Sequence, residues 1–388
     1  MKIYDFDKVI DRSGTDCLKK DLLKERFGRE DLIPLWVADM DFATPDFILN
    51  AIRKRCEHEL LGYTFAGEEY YEAIRHWLKD KHHWPVDKTA LGFLPGIVPG
   101  LAMCVNCFTV PGDKIIIQPP IYPPFISIPK HNDRVPVNNP LVLENGQFRM
   151  DFEQLESVCD EKTRMLLLCN PHNPGGKVWS KEDLIRLADI CHKRNILVVS
   201  DEIHADLTFP GKTHIPFASV SEKAAMNSIT LMAPSKTFNV PGVGASFYVA
   251  VNADIKEKFS CFLAKNELAN GHIFAFTVTR AAYENGKDWL KQATDYIWKN
   301  VCFVDDYLKN NIPSIKAIIP EASYLVWLDC REWNKTQKEL VSFFIDKARL
   351  ALNDGTTFGE GGEGFMRLNV GTPRSILEKA LKQLKEAV

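Results

Sequence analysis

The chain has 388 residues, 45% of them hydrophobic and 26% charged, with a net charge of −3, an ordinary globular balance with ample material for two or three domains. No long run of one sign occurs, which argues against a nucleic acid or an anionic membrane held by bulk electrostatics. The opening residues MKIYDFDKVIDRSG lack an apolar core, and no 18 apolar residues follow one another, so neither a signal peptide nor a membrane span is expected, and a cytoplasmic location is.

In chain order, the first strong pattern is GIVPGLAMCVNCF, an apolar helix that carries Cys104 and Cys107. No second C-x-x-C follows, so these thiols read as core packing, and the ten cysteines as reduced thiols. His82 and His83 are adjacent and cannot share one helix face, so no metal site is expected there or elsewhere. Short apolar or β-branched runs then predict strands at Lys114–Gln118, Val135–Asn138, Arg164–Cys169, Ile196–Ser200, Ser228–Met232 and Ser246–Val251. Between them lie amphipathic segments such as SKEDLIRLADICHKRN, opened by a good cap at Ser180. Alternation of strand and helix predicts a mainly parallel α/β sheet that binds ligand at its strands' carboxyl ends. The last hundred residues differ: polar helices surround strand-like YLVWLDC and FMRLNV. They read as a smaller α+β domain. The expected division is 1–48 as an N-terminal segment joining the small domain, 49–287 as the large domain, and 288–388 as the small one.

Three predicted strands end in chemistry. ILVVS runs into Asp201-Glu202-Ile203-His204, RMLLLC into Asn170-Pro171-His172-Asn173-Pro174-Gly175-Gly176, and SITLM into Ala233-Pro234-Ser235-Lys236. A lone lysine buried at a strand end would be stripped of water at high cost. Binding as an imine resolves this. His172 reads as structural within its turn, and Arg374, after a Thr-Pro turn, as solvated.

NPHNPGG, the Asp of SDEIH and the Lys of SKTFN, in that order, resemble the fold-type I pyridoxal-5′-phosphate (PLP) enzymes of the aminotransferase class I/II family. The resemblance covers essentially the whole chain. It implies the aspartate aminotransferase fold, with a mainly parallel seven-stranded sheet plus a smaller α+β domain. It also implies roles. Lys236 would hold PLP and move the substrate's Cα proton, and Asp201 would keep the pyridine nitrogen protonated. Asn173 would bond the ring's 3′ oxygen, and Tyr122 would stack on the ring. Gly96, Ile97 and Val98, opening a helix, would offer N–H groups to the phosphate beside Ser235. Tyr63 would reach the phosphate from a neighbouring subunit, implying a homodimer with shared active sites. Arg367 would hold the substrate's α-carboxylate, with Asn173, Ala38 and Tyr63 also near the substrate.

The segments WVADMDFATP, GYTF, PPIYPPF and SDEIHADL are further similar to the cystathionine β-lyase branch, the MalY/PatB group of C–S lyases. That branch implies cleavage of L-cystathionine, L-cysteine or another cysteine S-conjugate to pyruvate, ammonia and a thiol. His204, counted with the cofactor-binding residues, stands where many aminotransferases carry tyrosine. Gly244 stands where relatives often carry a phosphate-gripping arginine, and Ala233 where they carry serine, so looser cofactor binding is expected. Cys17 and Lys20 replace an expected Ser and Trp. An aminotransferase would use the same residues. A regulatory or binding protein on the same fold is a third reading, disfavoured by the presence of Lys236, Asp201 and Asn173.

Overall fold

The computed structural model describes residues 2–388. Seven strands, β1 (Leu91–Leu94), β2 (Lys114–Ile117), β3 (Val135–Asn138), β4 (Thr163–Cys169), β5 (Leu197–Asp201), β6 (Ser228–Met232) and β7 (Ser246–Val249), form one sheet in the order β1-β7-β6-β5-β4-β2-β3. β7 is antiparallel to both its neighbours, and the other pairs are parallel.

The centre of this sheet is buried on both faces, which explains the unbroken apolar runs of its strands. Along β4, Met165 and Leu167 enter the core on one side while Leu166 and Leu168 enter the core on the other. Helices cover both faces: α1 (Glu68–His82), α2 (Ile97–Phe108) and α3 (Lys181–Lys193). The α3 start is set by Ser180, whose side chain accepts from the Asp183 N–H at 3.0 Å, and Leu184, Leu187, Ala188 and Cys191 form its buried stripe.

Six strands agree with the sequence reading to within two residues at their ends. β1 went unanticipated, because Leu-Gly-Phe-Leu is short and contains glycine. Gly92 lies opposite Tyr248 in the antiparallel pair, and a Cβ there would sit 2.2 Å from the tyrosine ring. The glycine answers a neighbour's bulk, not a local preference.

The C-terminal part begins with the 25-residue helix α4 (Lys287–Asn311). It holds a four-stranded antiparallel sheet of β8 (Lys316–Ile318), β9 (Leu325–Asp329), β10 (Asn353–Asp354) and β11 (Phe365–Asn369), in the order β8-β9-β11-β10. From the N-terminal segment, Ile33–Pro34 pairs in parallel with Leu350–Ala351. Arg374 departs from expectation. It is half-buried, donating to Asn300 Oδ1 at 2.9 Å and lying 4.3 Å from the Phe303 ring centroid.

Candidate active site

Because β4, β5 and β6 are neighbours, their carboxyl ends open onto one place. The Asp201 position lies in register with Cys169 on one side and Leu231 on the other. A cavity of about 280 Å³ lies here, lined by Ala38, Gly96, Ile97, Val98, Tyr122, Asn173, Asp201, His204, Ser235 and Lys236 among others. Ten of the twelve residues singled out in the sequence thus share one cavity. Arg367 stands just behind it, donating to Asn173 Oδ1 at 3.1 Å. Tyr63 is elsewhere: it lies in the irregular segment just before α1, on the outer surface, at 112% relative exposure.

The electrostatics of the cavity are unbalanced. Asp201 is buried and accepts from the Ile203 N–H at 3.0 Å, yet among the described residues no lysine or arginine pairs with it. Burial pushes its carboxyl up to about 7, against the pull of that N–H and of Lys236. Lys236 is only half-buried, and its amine donates to the Ala38 carbonyl. Burial pushes the amine down to about 8; Arg367 adds to this, and Asp39 and Asp201 oppose it. His204 is driven down to about 3, first by burial and then by Lys236 and Arg367, so its ring is neutral. Its Nδ1 is buried without a partner.

Arg367 sits on β11, which is buried along its whole length, at 3% exposure. Its Nη2 donates to the Trp36 carbonyl at 2.9 Å and to Asn353 Oδ1 at 2.7 Å, and the Phe358 ring centroid lies 5.0 Å away. Among the described residues every hydrogen-bond partner is an uncharged oxygen, and Nε has none. Burial pushes the guanidinium down to about 10. A buried cation with no counter-ion is costly, and a carboxylate ligand would relieve that cost.

The segment around Ala38 closes the cavity on this side, and residues that sequence reasoning missed hold it there. Asn239 accepts from the Met40 N–H at 3.0 Å and donates to the Met40 and Phe42 carbonyls. Asn369 donates to the Val37 and Asp39 carbonyls, both at 2.6 Å. Arg12 and Lys19 pair with Asp39 and Asp41, Lys19 at 1% exposure. The hydroxyl of Tyr324 donates to the Ala38 carbonyl at 2.9 Å. Asn239 could have been singled out, since it closes the SKTFN motif; Lys19 and Asp39 carry no local signal.

His172 is buried with Nε2 2.8 Å from the Pro120 carbonyl, inside its turn. Cys104 is buried and Cys107 half-buried. Among the described residues no three His, Cys, Asp or Glu side chains gather as a metal site would need. None of the described helices is long and apolar enough to cross a membrane.

Over residues 30–384 the chain matches the family model described as aminotransferase class I and II. It is 41% identical over 384 residues to cystathionine beta-lyase PatB of Bacillus subtilis (strain 168), covering 99% of each chain. Among solved structures it is similar to a PLP-bound putative aminotransferase from Clostridium difficile 630, with a TM-score of 0.97, 38% identity, and coverage of 99% of this chain and 100% of that one. It is similar also to cystalysin from Treponema denticola, which contains PLP, with a TM-score of 0.96, 36% identity, and coverage of 100% and 99%.

Proposed function

The chain belongs to the aminotransferase class I and II family, and from that premise we propose that it is a PLP-dependent carbon–sulfur β-lyase. Its substrates are L-cystathionine, L-cysteine or a related cysteine S-conjugate, and its products are pyruvate, ammonia and a thiol. The observation that carries this is the amine of Lys236 and the buried carboxyl of Asp201 lining one cavity, with the Arg367 guanidinium beside it that meets no carboxylate among the described residues. The likeness to PatB, named a cystathionine beta-lyase, favours elimination over transamination.

The side chains fit PLP. A carboxyl at about 7 gains from a protonated ring nitrogen, which would draw it back to the anion. An amine at about 8 suits an aldehyde. The start of α2 has no side-chain cap, so its first N–H groups suit the phosphate. Gly244 is left-handed, with φ +63°, and a Cβ there would lie 3.0 Å from the Pro95 carbonyl. An arginine could not be placed at 244 without strain, so Ser235, the α2 start and Tyr63 take the phosphate.

When bound, PLP supplies an electron sink that lets a Cα proton leave and a Cβ sulfur depart. Lys236 takes the proton at Cα, its lowered pKa giving a useful fraction of free amine near neutral pH. Arg367 binds the α-carboxylate and thereby turns Cα toward Lys236. Asn173, held by Arg367, links the carboxylate site to the ring site. Tyr122 and His204 bound the ring, and Ala38 with its clamped segment limits water.

Two wider features belong to the proposal. Leu60, Leu61, Tyr63 and Phe65 form an exposed apolar run that a second copy of the chain would cover. That homodimer would bring Tyr63 to its partner's phosphate site. A cytoplasmic location is supported by ten free cysteines. The direct test is pyruvate release from L-cystathionine by PLP-loaded protein without a keto acid. Steady release supports the lyase. A shift of the cofactor to its amine form without pyruvate would favour an aminotransferase, the activity named for the Clostridium difficile structure.

A further inference from the structure

Behind the cavity lies a second group of titratable side chains, which the reaction does not touch. Asp206 is buried, and its Oδ1 accepts from Trp77 Nε1 at 3.0 Å and from His82 Nε2 at 2.8 Å. Its Oδ2 accepts from the Thr237 hydroxyl at 2.7 Å. Burial works to raise this carboxyl, but the bond and charge of His82, the bond from Thr237 and the charge of Lys81 outweigh it and hold it below the usual range. Burial lowers His82, against the bond and the charge of Asp206. No lysine or arginine lies within 4.0 Å of Asp206 among the described residues. A carboxylate is thus kept in the interior by three side-chain donors, although apolar packing would join these elements at less cost.

The third donor shows what the charge is for. Lys236 sits on a short helical turn, Pro234–Thr237. This turn makes two side-chain hydrogen bonds: Lys236 to the Ala38 carbonyl in front, and Thr237 to Asp206 behind. The front bond is made by the reacting amine itself. The rear bond is made by a group that takes no part in the reaction.

Resting on the lyase reading above, we propose that Asp206 is a positioning residue that, through Thr237, fixes the root of Lys236 and so aims its amine at the substrate Cα. A misplacement of about 1 Å at a reacting group can cost about a hundredfold in rate.

The test compares Thr237→Val, which keeps the shape but loses the hydroxyl, with Thr237→Ser, which keeps the hydroxyl. Each is loaded with PLP and assayed on L-cystathionine and its α-deuterated form. Circular dichroism of the cofactor band and a melting curve are recorded alongside. For Thr237→Val we expect kcat to fall about tenfold or more with KM within about twofold, since binding groups are untouched. The deuterium isotope effect should rise and the cofactor ellipticity weaken, with Thr237→Ser near wild type in all four. Wild-type kcat, isotope effect and ellipticity in Thr237→Val would overturn the proposal, as would an equal loss in Thr237→Ser. If Thr237→Val does not fold, Thr237→Ala, with room for a water beside Asp206, is read in the same way. A wild-type protein that shows no cofactor band or releases no pyruvate would instead count against the lyase reading.

Discussion

The two sides of the cavity are built in different ways. Asp201 closes its strand, Lys236 and Asn173 stand four residues beyond theirs, and neighbouring ladders of one sheet bring the three together. The guanidinium of Arg367 is placed by Trp36, Asn173 and Asn353, which lie 331, 194 and 14 residues away along the chain. Where a sheet supplies the placement, a short motif carries the chemistry. Where distant segments must meet, the same precision is spread over the whole fold.

If the strand-end side does the chemistry and the assembled side does the recognition, mutations should divide accordingly. The largest effect belongs to Lys236→Ala. Loss of the proton-transferring amine should lower kcat by about a thousandfold or more while the fold persists. Near-normal turnover would break the division at its root. Arg367→Ala comes next. It should raise KM about ten- to a hundredfold, the worth of a charge-assisted bond to a carboxylate, with a smaller loss in kcat. Unchanged KM with lost kcat would move Arg367 to the other side of the comparison.

A third test sharpens the account of Lys236. Only the neutral amine attacks an aldehyde, and burial pushes this amine down to about 8. The rate of PLP uptake by the cofactor-free protein should therefore climb between pH 7 and pH 9, with its midpoint near 8. A midpoint near the ordinary lysine value would contradict the burial argument. The smallest effect is expected at Asn353. Asp in its place would set an anion 2.7 Å from Arg367 Nη2, where a neutral oxygen now stands. It would compete with the substrate carboxylate, raising KM by about three- to tenfold with little change in kcat.

The sequence showed the strand-end side well. β4, β5 and β6 are mainly apolar, because both faces of the sheet's centre are covered, and within four residues of each strand's end stands a polar residue that lines the cavity. It showed the other side poorly. Lys19 looks like any surface lysine within a charged stretch, and only the fold buries it against Asp39 and Asp41. Arg374 looked solvated because its partners, Asn300 and Phe303, lie on α4, far back along the chain. β1 was missed because its glycine is required by Tyr248 on another strand. Tyr63 was named by resemblance alone. On one protomer it touches no part of the cavity, so its expected role needs a second copy.

The central claim is that one lysine, at the end of β6, holds the cofactor. The most direct measurement is borohydride reduction of the PLP-loaded protein, followed by peptide mapping of the fixed pyridoxyl group. The account predicts a single labelled site, Lys236, and no label in Lys236→Ala. Label on another lysine, or a loaded protein that fixes none, would contradict it.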